Sequence, residues 1–148
     1  MLEDMLEAAQ DRIGHRFEDP MLLQRALTHA SLTEDRLESN ERLEFLGDAV
    51  LGMVVCEYLH DTFPDLLEGE MTKVKSTVVS LRVCAEVASE MGLDEILMIG
   101  KGMASRDALP TSVAAAVYES VLGAVYLDAG LDTTRTLIIS GLEDRIRQ

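Results

Sequence analysis

Glu41, Glu44 and Asp48 stand at i, i+3 and i+7 within NERLEFLGDAVL, residues 40–51. At 3.6 residues per turn this spacing lines up three carboxylates as one stripe along a helix. Like charges stacked in this way repel one another, so a chain that keeps them there has use for a cation. On spacing alone, a solvated acidic face on an amphipathic helix is the simpler account. Two more acids stand apart from the stripe. Glu119 is the only charged residue between Val113 and Leu127. A carboxylate in so apolar a helix takes up a proton, finds a cation, or faces a wet groove or an arginine. Glu68, in LLEGEMTKVKS at 66–76, stands where a helix N-terminus favours an acid through its macrodipole.

These groups need helices to position them, and the sequence supplies little else. Apolar residues make up 47% of the 148 and Trp is absent, so Leu, Val, Ala, Ile and Met must build the core, a composition that favours helices over a sandwich or barrel. A first helix is expected over 3–14, ending at Gly14. A second opens at Asp19-Pro20, with Asp19 as N-cap, and runs to about His29. Ser31 to Ser39 reads as a loop, after which Ser39 or Asn40 caps the long helix carrying the acidic stripe to about Asp61. On that helix Leu43, Phe45, Leu46, Ala49, Val50 and Met53 supply the rest of the surface, most of it expected to be buried.

Further helices are expected over 68–80, over 81–91 with Gly92 at the C-terminal glycine position, over 112–127, and over 131–147. Leu93 to Leu109 has no sustained period and reads as a loop. The helix bearing Glu119 is apolar nearly all round, which marks it as the buried centre. Nothing alternates with period two for long enough to be a strand. The expectation is a single all-α domain over 1–148, with about seven helices and no internal boundary. No stretch resembles a secretory leader or an uninterrupted membrane span. Cys56 and Cys84 read as two buried thiols of a cytoplasmic protein.

NERLEFLGDAVL closely resembles the signature of the ribonuclease III family, whose members cut double-stranded RNA with divalent metal. LEGEMTKVKSTVVS at 67–80 and VYESVLGAVYLDAG at 117–130 are similar to two further blocks of that family. The likeness extends from PMLLQRALTHAS at 20–31 to the last helix. It implies a ribonuclease III endonuclease domain that hydrolyses phosphodiester bonds in rRNA and mRNA processing, using Mg2+, with Mn2+ able to substitute. By position, Glu44, Asp48 and Glu119 match metal-ligating carboxylates, Asp48 and Glu119 being the catalytic pair. Glu41 and Glu68 match acids that line the same cleft and help place the scissile strand and water. The family acts as a homodimer, each subunit cutting one strand and leaving short 3′ overhangs. Phe45 would plug into a socket on the partner, the alternative being an ordinary core phenylalanine.

Two features pull against that picture. The family usually has an aspartate three residues before the last catalytic glutamate, and this chain has Ala116 there. Asp107 lies too far upstream to stand in for it. A catalytically weakened, ribosome-associated or RNA-processing scaffold is therefore the rival expectation. Acids also outnumber bases 27 to 13, for a net charge of −14, which rules out tight docking on RNA through a generally basic surface. Bound cations at the acidic site would offset part of this. A separate double-stranded-RNA-binding domain commonly follows the catalytic one, and this chain stops where that would start. Lys73, Lys75 and Arg82 read as solvated helix charges able to touch phosphates. His15, His29 and His60 share no metal-binding spacing and read as structural, His29 by hydrogen-bonding at a helix end.

Overall fold

Residues 1–104 and 109–148 are described by the computed structural model. The seven expected helices are present: α1 (Leu2–Ile13), α2 (Pro20–Ala26), α3 (Glu41–Thr62), α4 (Glu68–Val78), α5 (Leu81–Glu90), and, after two short additions, α8 (Thr111–Ala129) and α9 (Leu131–Ile146). Gly14 and Gly92 end α1 and follow α5 with φ of +81° and +74°, the left-handed region a side chain resists. Asp19 caps α2 by accepting a hydrogen bond from the Met21 N–H at 3.1 Å. At α3 Asn40 holds the cap position without a side-chain bond, and the Ser39 hydroxyl accepts from the Glu41 N–H at 3.3 Å instead.

The expected loop from Leu93 to Leu109 contains two short helices, α6 (Leu93–Ile96) and α7 (Lys101–Ala104). Four residues are too few for a hydrophobic period to register. Among the described residues the only β-type pairing is an isolated parallel bridge between Thr28 and Met98. The Met98 N–H donates to the Leu27 carbonyl at 2.7 Å, and the His29 N–H donates to the Met98 carbonyl at 2.9 Å. His29 also caps the 3₁₀ turn Ala30–Leu32 by accepting from the Ser31 N–H.

α8 is the centre of the fold and packs on α2, α3, α5 and α9. Val117, Val121, Leu122, Ala124 and Val125 are wholly removed from solvent. By length and apolarity alone this helix would pass for a membrane span, contrary to the sequence expectation, but most of it is buried against its neighbours. Its last turn is clasped from outside. The Asp128 carboxylate, 3% exposed, accepts from His15 Nε2 at 2.9 Å and from the N–H groups of Glu18 and Asp19 at 3.1 and 3.0 Å.

At Gly47 and Gly123, α3 meets α8 without side chains between them. A Cβ at Gly47 would stand 1.7 Å from the Glu119 carbonyl oxygen, and one at Gly123 would stand 2.3 Å from the Leu43 carbonyl oxygen. Both obstacles are backbone, so neither can yield unless the helices part. The face of α3 turned to α8 and the core buries Leu43, Gly47, Val50, Leu51, Val54, Val55 and Leu59. Phe45 is exposed, as a knob for a partner's socket requires, and, contrary to expectation, Ala49 and Met53 on the same helix are exposed as well. Cys56 is exposed too, so only Cys84 is a buried thiol, and the two are free.

The crossing predicts a sharp contrast between glycines. Gly47→Ala should cost about 3 kcal/mol or more, as overpacking that only helix displacement can relieve. Gly69→Ala, where an added Cβ meets nothing within 4 Å in exposed helix, should be neutral or stabilise by up to about 1 kcal/mol. Denaturant midpoints of the two variants check this.

Candidate active site

The close crossing delivers Asp48 to Glu119. Gly47 touches the backbone of residue 119, so the side chain that follows it on α3 lies beside the one that residue 119 carries on α8. Glu119 is 7% exposed, and its carboxyl lies within hydrogen-bonding reach of Asp48. Burial first, then the hydrogen bond to Asp48, then the charges of Asp48 and Glu44 push the Glu119 carboxyl up to about 9. At neutral pH it keeps its proton and donates it to the Asp48 carboxylate, as expected when two carboxyls share one place.

Glu44, half-buried one turn earlier on α3, also binds its proton more firmly than usual. Burial is the main cause, followed by the charges of Glu41 and Asp48. Glu41 goes the other way. Arg36 holds it with two guanidinium nitrogens, Nε at 2.9 Å and the second through a terminal nitrogen, and this hydrogen bonding lowers its pKa. Arg36 belongs to the 3₁₀ turn Arg36–Glu38 in the polar loop. Helical spacing could not reveal it, because the pair spans a loop and a helix start.

Glu68 does not join these four acids in the chain as folded. It opens α4 and lines a cavity of about 290 Å³ with Cys56, Leu59, His60, Met71 and Lys75. Ala116 is half-buried, one turn before Glu119 on α8, so the place of a fourth carboxylate is held by a methyl group. Asp107 lies outside the described residues. Among those described, no three His, Cys, Asp or Glu side chains converge as a metal-holding group.

The residues nonetheless fit a divalent cation. In the pair Asp48–Glu119 a proton occupies a place that a cation would take. Carboxylate oxygens are the ligands magnesium prefers, with water completing its shell, and Glu44 offers a further carboxylate in the same stripe. Asp48 is exposed and Glu119 buried, so the pair spans the edge of the core. Tyr118 is buried with a hydroxyl that has no partner among the described residues. The Cys84 thiol is pushed up to about 12, by burial first and then by the charges of Glu119 and Asp48. It is a packing group rather than a reactive one. His15 and His60 pair with Asp128 and Asp61, away from the acidic pair.

An all-helical domain with acidic residues converging from α3 and α8 is the architecture of a nuclease family. The family model described as Ribonuclease-III-like matches residues 19–145, and the chain belongs to that family. It is 48% identical over 130 residues to Ribonuclease 3 of Rhodopirellula baltica, covering 88% of this chain and 49% of that protein. Identity to Ribonuclease 3 of Bdellovibrio bacteriovorus is 41% over 142 residues, covering 93% and 61%. The chain thus spans about half to three-fifths of the length of these relatives. Among solved structures, the nuclease domain of ribonuclease III from Campylobacter jejuni superposes with a TM-score of 0.89 at 30% identity, covering 97% of this chain and 99% of that one. That structure is described for flexibility in a region involved in dimer formation.

The shared proton has a stability consequence. Glu119 keeps its proton in the folded chain up to about 9 but loses it near the ordinary 4.5 when unfolded. Between those values the folded state holds more protons, so metal-free stability falls as pH rises through that window. Glu119→Gln, which carries no charge to desolvate, should melt a few degrees above the parent without metal. Its advantage should be small at pH 5 and widen towards pH 9. Thermal melts in chelator across that range check the sign.

Proposed function

We propose that the chain is the endonuclease domain of a ribonuclease III-type enzyme, hydrolysing phosphodiester bonds of double-stranded RNA with magnesium, or manganese in its place. The observation that carries this reading is the Asp48–Glu119 pair, two carboxyls held together by a backbone-to-backbone helix crossing. Ribonuclease III proteins generally depend on divalent metal, which supports the same assignment. When bound, a divalent ion would offset charge on the phosphate and lower the pKa of a water able to attack it. Asp48 and Glu119 would hold that ion, and Glu119 would give up its proton as it does so. Glu44 adds oxygen ligands from one turn earlier. Glu41, kept ionised by Arg36, orders the rim where a strand and water would be placed. Glu68 would reach the reaction only through a substrate or partner that spans the cleft.

The same reading makes the protein a cytoplasmic homodimer. Phe45 is 83% exposed and forms one wall of a hollow of about 650 Å³ lined mostly by leucines, Leu22, Leu37, Leu43, Leu46 and Leu127, with Arg25, Glu41 and Arg42 among them. A two-fold dimer is self-complementary, so an aromatic knob at a mostly leucine-lined hollow supports exchange of Phe45 between two copies. Phe45→Ala should raise the dimer dissociation constant by about 30-fold or more, the loss of a central aromatic hot spot. Sedimentation velocity over a concentration series would measure it, and a parent monomeric at micromolar concentration would refute the homodimer.

Cleavage of a labelled RNA duplex, with magnesium against chelator, tests the activity. Asp48→Asn should lower kcat by about 100-fold or more and abolish the rise in melting temperature on adding magnesium. Ala116 favours a second reading, a scaffold with weakened metal binding. Ala116→Asp separates the two in the same assay. In an enzyme it should lower the magnesium concentration for half-maximal cleavage, and a parent that never cuts the duplex leaves the scaffold.

A further inference from the structure

Most of the positive charge on this chain is spent internally. Arg12, Arg16, Arg25, Arg36, Arg82, Arg135, Arg145 and Arg147 each form an ion pair with a carboxylate. Among the described residues, the cationic side chains without a carboxylate within 4.0 Å are Arg42, Lys73, Lys75 and Lys101. Of these four, Lys75 alone is half-buried; the others are exposed. Partial burial covers the lysine stem and leaves the ammonium to water, so Lys75 is held in place yet has no counter-ion.

Its position is marked by its approach to Gly52. From α4 the Lys75 side chain lies across α3 at Gly52, where a Cβ would meet Lys75 Cε at 3.7 Å and Nζ at 3.9 Å. Gly52 is one turn after Asp48, and residues four apart on a helix share a face, with about 5–6 Å between Cβ positions. The ammonium therefore stands on the Asp48 side of α3, about one turn beyond the acidic pair, with its stem packed over bare helix backbone. The Asp48 and Glu44 carboxylates would repel an incoming phosphate. Lys75 is an unspent cation next to them.

We propose that Lys75 binds a phosphate of the RNA strand next to the one cut, holding the strand in register with Asp48 and Glu119. The proposal rests on the endonuclease reading above. Lys75 is a positioning residue for the substrate and takes no proton from it.

The test uses the full chain and a fluorescein-labelled RNA duplex. Anisotropy is read in a Glu119→Gln background, so that the duplex stays intact, over a series of salt concentrations. Removing one phosphate contact should lower affinity several-fold for Lys75→Gln and for Lys75→Met, which keeps the stem over Gly52. It should also reduce the slope of log K against log salt by about 0.7–0.9. Lys75→Arg should restore the slope, and Lys73→Gln, on exposed helix, should leave it unchanged. In the Glu119 parent, Lys75→Met should raise KM more than it lowers kcat and leave the magnesium-induced melting shift intact. An unchanged salt slope in both the Gln and Met variants, while their background binds duplex, overturns the Lys75 assignment. So does a Lys75→Arg variant as impaired as Lys75→Met. If neither the parent cuts nor the background binds duplex, the endonuclease reading fails, and the Lys75 assignment fails with it.

Discussion

The contact between the backbones of α3 and α8 is the constraint on which the site depends. Two glycines, Gly47 and Gly123, remove the side chains that would hold these helices apart. What remains is carbonyl oxygen against Cα at a distance that tolerates no added carbon. Because residue 48 follows Gly47 and residue 119 is the one it touches, the two carboxyls are juxtaposed by main-chain geometry instead of flexible side-chain reach. A site built on such a crossing is rigid before any ligand arrives, as repeated binding of one ion requires.

Bringing acids together this closely has an electrostatic cost, and the chain meets it in three ways. Glu119 keeps a proton, Glu41 takes Arg36, and Glu44 stays partly reluctant to ionise. A stripe that reads as three equal carboxylates is thus three different groups once folded. The differences come from neighbours on other elements, the buried flank of α8 and the loop before α3, and no spacing within α3 encodes them.

The all-helical fold and the acids of α3 and α8 were legible because they rest on local rules. Period 3.6, the Asp19 cap, and the glycines at 14 and 92 are all readable within a turn or two of sequence. Glu119 stood out because an isolated charge in an apolar helix is rare. α6 and α7 were missed because four residues carry no period. The exposure of Ala49, Met53 and Cys56 was missed for another reason. α3 is apolar on more than one side, and only the position of α8 decides which side is covered. The Lys75–Gly52 contact and the Arg36–Glu41 pair join separate elements, so neither is visible along one.

α8 also governs the order in which the chain can fold. The Asp128 clasp joins residues 15, 18 and 19 to a partner 109 to 113 positions later. The helices that surround α8 precede it, apart from α9. During synthesis the early helices can form within themselves as soon as they emerge, since their contacts are local. Most of their apolar surface closes only on residues 111–129, so the domain consolidates late, once that helix leaves the ribosome.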